Sequence, residues 1–275
     1  MLSLIKIEWL KIKKYPSFWL MLAIVGLTYP GVNLMFHHIY ENITQRKDAA
    51  GNIAKFLLGN PFSFPDAWHS VAYFSSFFVV VPAIIVIMLI SNEYSFKTHR
   101  QNIIDGWSRN EFVTSKLLDV LIITMVVTLI YFIVAVTLGF YYSDGMNASR
   151  WNEELQYIPL FMLQTFAQLS IAFVLGFLLR KAFIALGIYF FYLIVVENAI
   201  KAYLHFKEYT FGKYLPLEIS NRLVPRPNFL GRINTESNEA YKRALSEINE
   251  YIILTVLLTA AIWWMSYKIY KKKDL

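Results

Sequence analysis

The sequence predicts an all-α fold: a polytopic membrane bundle of six transmembrane helices. Three observations predict it. Hydrophobic residues make up 57% of the 275 and charged residues only 16%, whereas a water-soluble domain carries about a quarter charged. Mean hydropathy is +0.44. Six apolar stretches each come close to the ~20 residues that a hydrocarbon core of about 30 Å requires. An aromatic share of 17% adds to this, because Trp and Tyr favour membrane–water boundaries.

The predicted spans are 16–36, 70–91, 117–141, 157–179, 182–204 and 250–268, within one domain covering 1–275. Residues 1–15 precede them. There Leu2, Leu4, Ile5, Ile7, Trp9, Leu10 and Ile12 interleave with Lys6, Glu8, Lys11, Lys13 and Lys14, a mix that suits a helix lying in the interface. The apolar stretch that follows is too long for a signal peptide and runs on into Tyr29-Pro30-Gly31 with no small-residue cleavage site, so an uncleaved first span is expected. Pro30 and Pro82 are expected to kink the first two spans. Lys and Arg gather at the N-terminus, in 92–116, at Arg180-Lys181 and from Lys268 to Lys273. That density places both termini and the 92–116 loop in the cytoplasm, leaving 205–249 outside.

Several chemistries are excluded or disfavoured. There is no cysteine, hence no disulfide, thiol nucleophile or thiolate metal site. The net charge of +7 fits basic loops against anionic lipid better than nucleic acid, since no basic segment sits on a soluble domain. No G-x-x-x-x-G-K-[ST] phosphate loop occurs. His37-His38 with Glu41 makes a poor metal site, because adjacent helical residues point about 100° apart. No Ser/His/Asp set or close acidic pair suggests catalysis, so no enzyme is expected.

One polar segment is distinctive. From Asn92 it reads Glu93, Tyr94, Ser95, Phe96, Lys97, Thr98, His99, Arg100, Gln101, Asn102, Ile103, Ile104, Asp105, Gly106, Trp107, Ser108, Arg109, Asn110, Glu111 and Phe112, with Lys116 following. Residues 93–105 lack helix breakers and set Phe96, Ile103 and Ile104 among polar neighbours, as a short amphipathic surface helix does. Gly106 supplies a turn. Ser108 with Glu111 forms a capping box that starts a helix running through Lys116 into the third span.

In these residues the chain resembles the membrane (permease) subunit of type-2 ABC (ATP-binding cassette) transporters. In that family a Glu ends the second span, a Thr and a basic residue follow, and a Gly or Pro turn leads to Ser-Arg and a downstream Lys. Glu93, Thr98, Arg100, Gly106, Ser108, Arg109 and Lys116 stand at those places. Lys97 replaces the family's usual Gly, and Gly106 its frequent Pro. The resemblance implies that 92–116 carries a coupling helix that contacts a separate ATPase subunit. Glu93, Arg100 and Arg109 would make charged contacts, Phe96, Ile103 and Trp107 would pack into the docking groove, and Lys97, Thr98, Gly106 and Ser108 complete the set. It further implies a bacterial cytoplasmic (inner) membrane protein that pairs with a second permease chain. ATP and Mg would be held by the partner ATPase, with no cofactor in this chain.

Three polar residues inside the spans are the expected substrate-path candidates: Gln164, Gln168 and Glu197. Hydrogen bonding between helices is the commoner role for the glutamines, and an i,i+4 pair with Lys201 the simpler role for Glu197. Asp119 reads as an interfacial residue. In 205–249 a short helix from Tyr214 to Val224, ended by Pro225-Arg226-Pro227, is expected to dip into the outer leaflet, and 237–249 to lead helically into the last span. Two other classes of function remain open on the sequence: a non-transporting scaffold or sensor, and an ion-coupled transporter centred on Glu197.

Overall fold

A backbone in hydrocarbon must satisfy its own N–H and C=O groups, which helices do internally, and helices are what the apolar runs form. The computed structural model describes residues 2–45, 59–104, 106–227, 229 and 235–272. Asp105, residues 228 and 230–234 of the 205–249 segment, and the tail residues 273–275 lie outside them. In chain order the helices are α1 (Leu2–Lys13), α2 (Pro16–Thr44), α3 (Ala67–Ser76), α4 (Val80–Ser95), α5 (Thr98–Ile104) and α6 (Arg109–Tyr142). Then follow α7 (Gly145–Ala148), α8 (Tyr157–Leu179), α9 (Ala182–Phe206), α10 (Pro216–Asn221) and α11 (Thr235–Lys272). No strand occurs among the described residues.

Five helices are long and apolar enough to cross a membrane: α2, α6, α8, α9 and α11. The count is six if the bent pair α3–α4 is one span. Such a set fits an integral membrane protein, and so does the outer surface. Leu27, Leu129, Phe183, Phe191 and Leu257 all stand exposed there.

Most of the elements run longer than the apolar stretches alone, whereas α8 keeps the expected bounds of its stretch. The capping box starts α6 at Arg109, with Glu111 N donating to Ser108 Oγ at 3.2 Å and Ser108 N donating to Glu111 Oε2 at 2.7 Å. α11 joins its polar first turns to the apolar run without a break. Pro30 lies inside α2 without ending it. Between α3 and α4 the chain bends by 48°, where Pro82 acts. Proline offers no N–H to the carbonyl four residues back, and Phe78 O accepts from Val81 N at 3.1 Å instead.

Apolar faces gain little by leaving lipid for one another, so close backbone approach and buried hydrogen bonds hold such a bundle. α8 is the central helix, packed on α4, α6, α9 and α11. At Gly176 it comes so near α4 that a Cβ would stand 3.2 Å from the Ile87 carbonyl oxygen. Tyr131 Oη of α6 donates to Trp68 O of α3 at 2.9 Å, and Trp263 Nε1 of α11 donates to Ser170 Oγ of α8 at 3.0 Å. α9 is the least covered of the span-length helices and contains a wide π turn at Tyr192–Val196.

Candidate functional site

The distinctive segment occupies the end of the bundle where α1, the start of α6 and the last turns of α11 meet. α4 runs on to Ser95, so the surface helix is shorter than the 93–105 expected, covering Thr98–Ile104. Lys97, left-handed at φ 57°, starts it, and Gly106, at φ 98°, follows its end. Thr98 Oγ1 and His99 Nδ1 both donate to the Glu93 carbonyl, at 3.3 and 3.1 Å, which ties α5 back onto the end of α4.

α5 is two-sided. His99 is buried and its ring meets Tyr94 at 4.6 Å, while Ile103 packs against the core. The other side is left open: Phe96 is 75% exposed and Ile104 78% exposed, with Lys97, Thr98 and Arg100 exposed beside them. Burial holds the His99 imidazole below its ordinary pKa; Arg100 and Arg180 act in the same sense, against the Glu93 carbonyl.

Beneath this helix lies a buried charge cluster. Lys116 Nζ, 2% exposed, donates to Glu93 Oε1 at 2.7 Å, to Asp119 Oδ2 at 2.8 Å and to Glu8 Oε2 at 3.2 Å. Lys11 adds a second ammonium, 3.0 Å from Glu8 and 3.7 Å from Glu93. Burial pushes the Glu8 carboxyl up, but Lys116 and Lys11 outweigh it and hold the group below the usual carboxylate range. Three elements, α1, α4 and α6, thus share one ionic knot. Asp119, read from the sequence as an interfacial residue, is a buried member of it. Its i,i+3 spacing from Lys116 and the arrival of α1 on α6 draw it inward.

The remaining sequence-selected residues of the segment divide accordingly. Glu93 faces the knot and not solvent. Trp107 is half-buried with Lys11 Nζ 5.2 Å from its ring centroid. Arg109 Nη1 donates to Lys271 O at 2.7 Å, binding the start of α6 to the C-terminal end of α11, where the helix dipole favours a cation. Phe112 stacks on Tyr270 at 4.8 Å. Ser108 is the cap. Phe96, Lys97, Thr98 and Arg100 are therefore the free face, together with Ile104.

The other selected residues gather at the opposite end, where the glutamines take the commoner role of bonding between helices and Glu197 takes partners other than the one expected. Glu197 does not pair with Lys201. Its Oε1 and Oε2 accept from Glu218 N at 2.6 Å and Leu217 N at 3.2 Å, because the chain returns with the N-terminus of α10 against α9. Lys201 pairs with Glu218 instead, at 3.1 Å. Gln168 and Gln164 donate to Asn221 Oδ1 at 2.8 and 3.2 Å, binding α10 to α8. The expected helix of 214–224 narrows to α10, preceded by a 3₁₀ turn at Thr210–Tyr214. His37 stacks on Tyr142 at 3.6 Å, and no group of three metal-ligating side chains occurs among the described residues.

A family of proteins of unknown function, DUF2705, matches residues 45–275. The chain belongs to the DUF2705 family. The match takes in α3 to α11, and so both the open face of α5 and the seat of α10, while α1 and α2 precede it. No curated protein matches the chain.

Proposed function

We propose that this chain is the permease subunit of an ATP-driven exporter of the type-2 ABC kind, with six spans, both termini cytoplasmic and α3–α4 acting as one bent span. Its ATPase is a separate polypeptide that docks on α5, and two permease chains work together in the bacterial cytoplasmic membrane. The observation that carries this reading is the open face of α5. A seven-residue helix leaves Phe96 and Ile104 uncovered beside Arg100, though it is firmly rooted on its other side. Apolar anchors next to a guanidinium are the usual content of a protein-binding hot spot.

The root explains how docking moves the spans. A push on α5 reaches α4 through the Glu93 carbonyl. It reaches α6 and α1 through the Glu93–Lys116–Glu8 contacts, and α11 through Arg109. An interface that shifts a rigidly connected helix end is a sufficient device for passing ATPase closure to a bundle. A scaffold or sensor without transport would use the same face. Co-purification with a co-expressed ATPase, and ATP-dependent export, separate the two. Arg100→Glu is expected to reduce both ATPase retention and export by about tenfold or more, as for loss of one charged hot-spot contact. Full export with Arg100→Glu and Phe96→Ala combined would overturn the assignment.

A further inference from the structure

We propose that the cavity at the α10 end of the bundle is a binding site for an anionic amphiphile, a lipid whose acyl chain enters sideways and whose acidic headgroup is held at Arg226. The site is a space of about 780 Å³ enclosed by α3–α4, α8, α9, α10 and the start of α11, within the range of ligand pockets. Two irregular stretches of helix border it. Phe77 lies in the bend between α3 and α4, and Leu193 in the π turn of α9. Irregular backbone at membrane depth is tolerated where it lines a cavity, and π turns are frequent at functional sites. Below the bend α4 packs on the first half of α9. Above it α3 packs on α2, α6 and α8 while the end of α9 packs on the 210–214 turn, so the wall parts sideways.

Height and charge then select the ligand. At 1.5 Å per residue Lys201 stands about 30 Å along α9 from Lys181, one hydrocarbon thickness away. Leu193 stands only about 18 Å along. The lining therefore runs from acyl depth at Leu193, with Phe77 and Val80, to a headgroup-depth end at Lys201, Arg222 and Arg226. Five charged side chains line it. Glu197 is taken by backbone amides and Glu218 lies between Lys201 and Arg222. Arg226 is exposed and has no ion pair among the described residues, so the uncompensated charge is positive. Gln164, 1% exposed, lines the same space with an Oε1 that has no hydrogen-bond partner, an acceptor suited to a headgroup hydroxyl.

The inference concerns binding, and its test needs no ATPase, so it fails or holds separately from the docking at α5. The full chain in a neutral detergent is titrated with phosphatidylglycerol and with phosphatidylcholine of the same acyl chains, and binding is read by native mass spectrometry. Phosphatidylglycerol is expected to bind about tenfold tighter, because both lipids carry the phosphodiester but choline's ammonium offsets its charge beside Arg226 and offers no hydroxyl to Gln164 Oε1. Arg226→Gln should erase that preference, and Lys207→Gln, an exposed lysine at the same end, should keep it. A photoreactive acyl chain should label 73–80 and 192–201. Equal binding of the two lipids, an unchanged preference in Arg226→Gln, or an equal loss in Lys207→Gln would overturn the proposal. So would competition by inorganic phosphate alone, or labelling spread evenly over the lipid-facing helices.

Discussion

Replacing Lys116 by methionine removes the ammonium around which Glu8, Glu93 and Asp119 gather. With Lys11 the knot sets two ammonium groups against three carboxyl groups; Lys116→Met leaves one against three. The three carboxylate side chains are 1%, 14% and 7% exposed, so water cannot take over. Removing one partner of a buried pair costs about 3–5 kcal/mol, chiefly through the charge left behind. Glu8→Gln acts oppositely on the balance, leaving two against two with Lys116 still bonded to Glu93 and Asp119. Its cost should stay within about 1.5 kcal/mol, that of an ordinary hydrogen bond. Adding Asp119→Asn to Lys116→Met should recover part of the loss. Equilibrium unfolding in mixed micelles of rising SDS fraction, followed by Trp fluorescence, ranks the variants. A Lys116→Met protein within about 1 kcal/mol of the parent, or no weaker than Glu8→Gln, would show that Lys116 does not hold the three carboxyl groups together.

Three further outcomes are expected. Gly139→Ala drives a Cβ into the ring tip of Phe64, itself buried against Trp68 and Phe140. It should cost about 1–3 kcal/mol in the same unfolding assay, relieved by Phe64→Leu. Glu197→Gln turns an amide N–H₂ toward the Leu217 or Glu218 N–H and should cost about 1–3 kcal/mol, seen as faster proteolysis between α9 and α11 with the Lys201–Glu218 pair intact. Burial, Arg100 and Arg180 lower the folded pKa of His99. Stability from its neutral form is therefore present above its unfolded pKa of about 6.5, and is lost as pH falls toward the folded value. Amide exchange over 93–104, corrected for intrinsic rates, should quicken between about pH 7.5 and 5.5, and His99→Gln should flatten the change.

What was legible in the chain was what local chemistry decides. Apolar length announced the span-length helices, Ser108 with Glu111 fixed the start of α6, and Pro82 foretold the bend beside it. Gly106 marked the turn after α5. The inward role of Glu93 was hidden, because its partners lie at 8, 11 and 116 and meet only when α1 folds onto α6. Asp119 misled for the same reason, since a carboxylate near a helix end looks solvated until another element covers it. Glu197 had an evident helical neighbour in Lys201, yet two backbone N–H groups about twenty residues on offered its carboxylate a better geometry. No periodicity encodes such a return. His69, whose Nε2 donates to Pro225 O at 2.8 Å, gave no signal for that reason too.

Docking of an ATPase on the open face of α5 is open to direct test, because the sequence contains no cysteine. Single replacements Phe96→Cys, Arg100→Cys and Ile104→Cys, with Lys207→Cys as a control at the other end, can be co-expressed with a candidate ATPase and treated with a thiol cross-linker. Cross-links to the ATPase are expected from the three α5-face positions and none from position 207, with a yield that changes when ATP is added. Cross-links absent from all three, or equally strong from position 207, would contradict it.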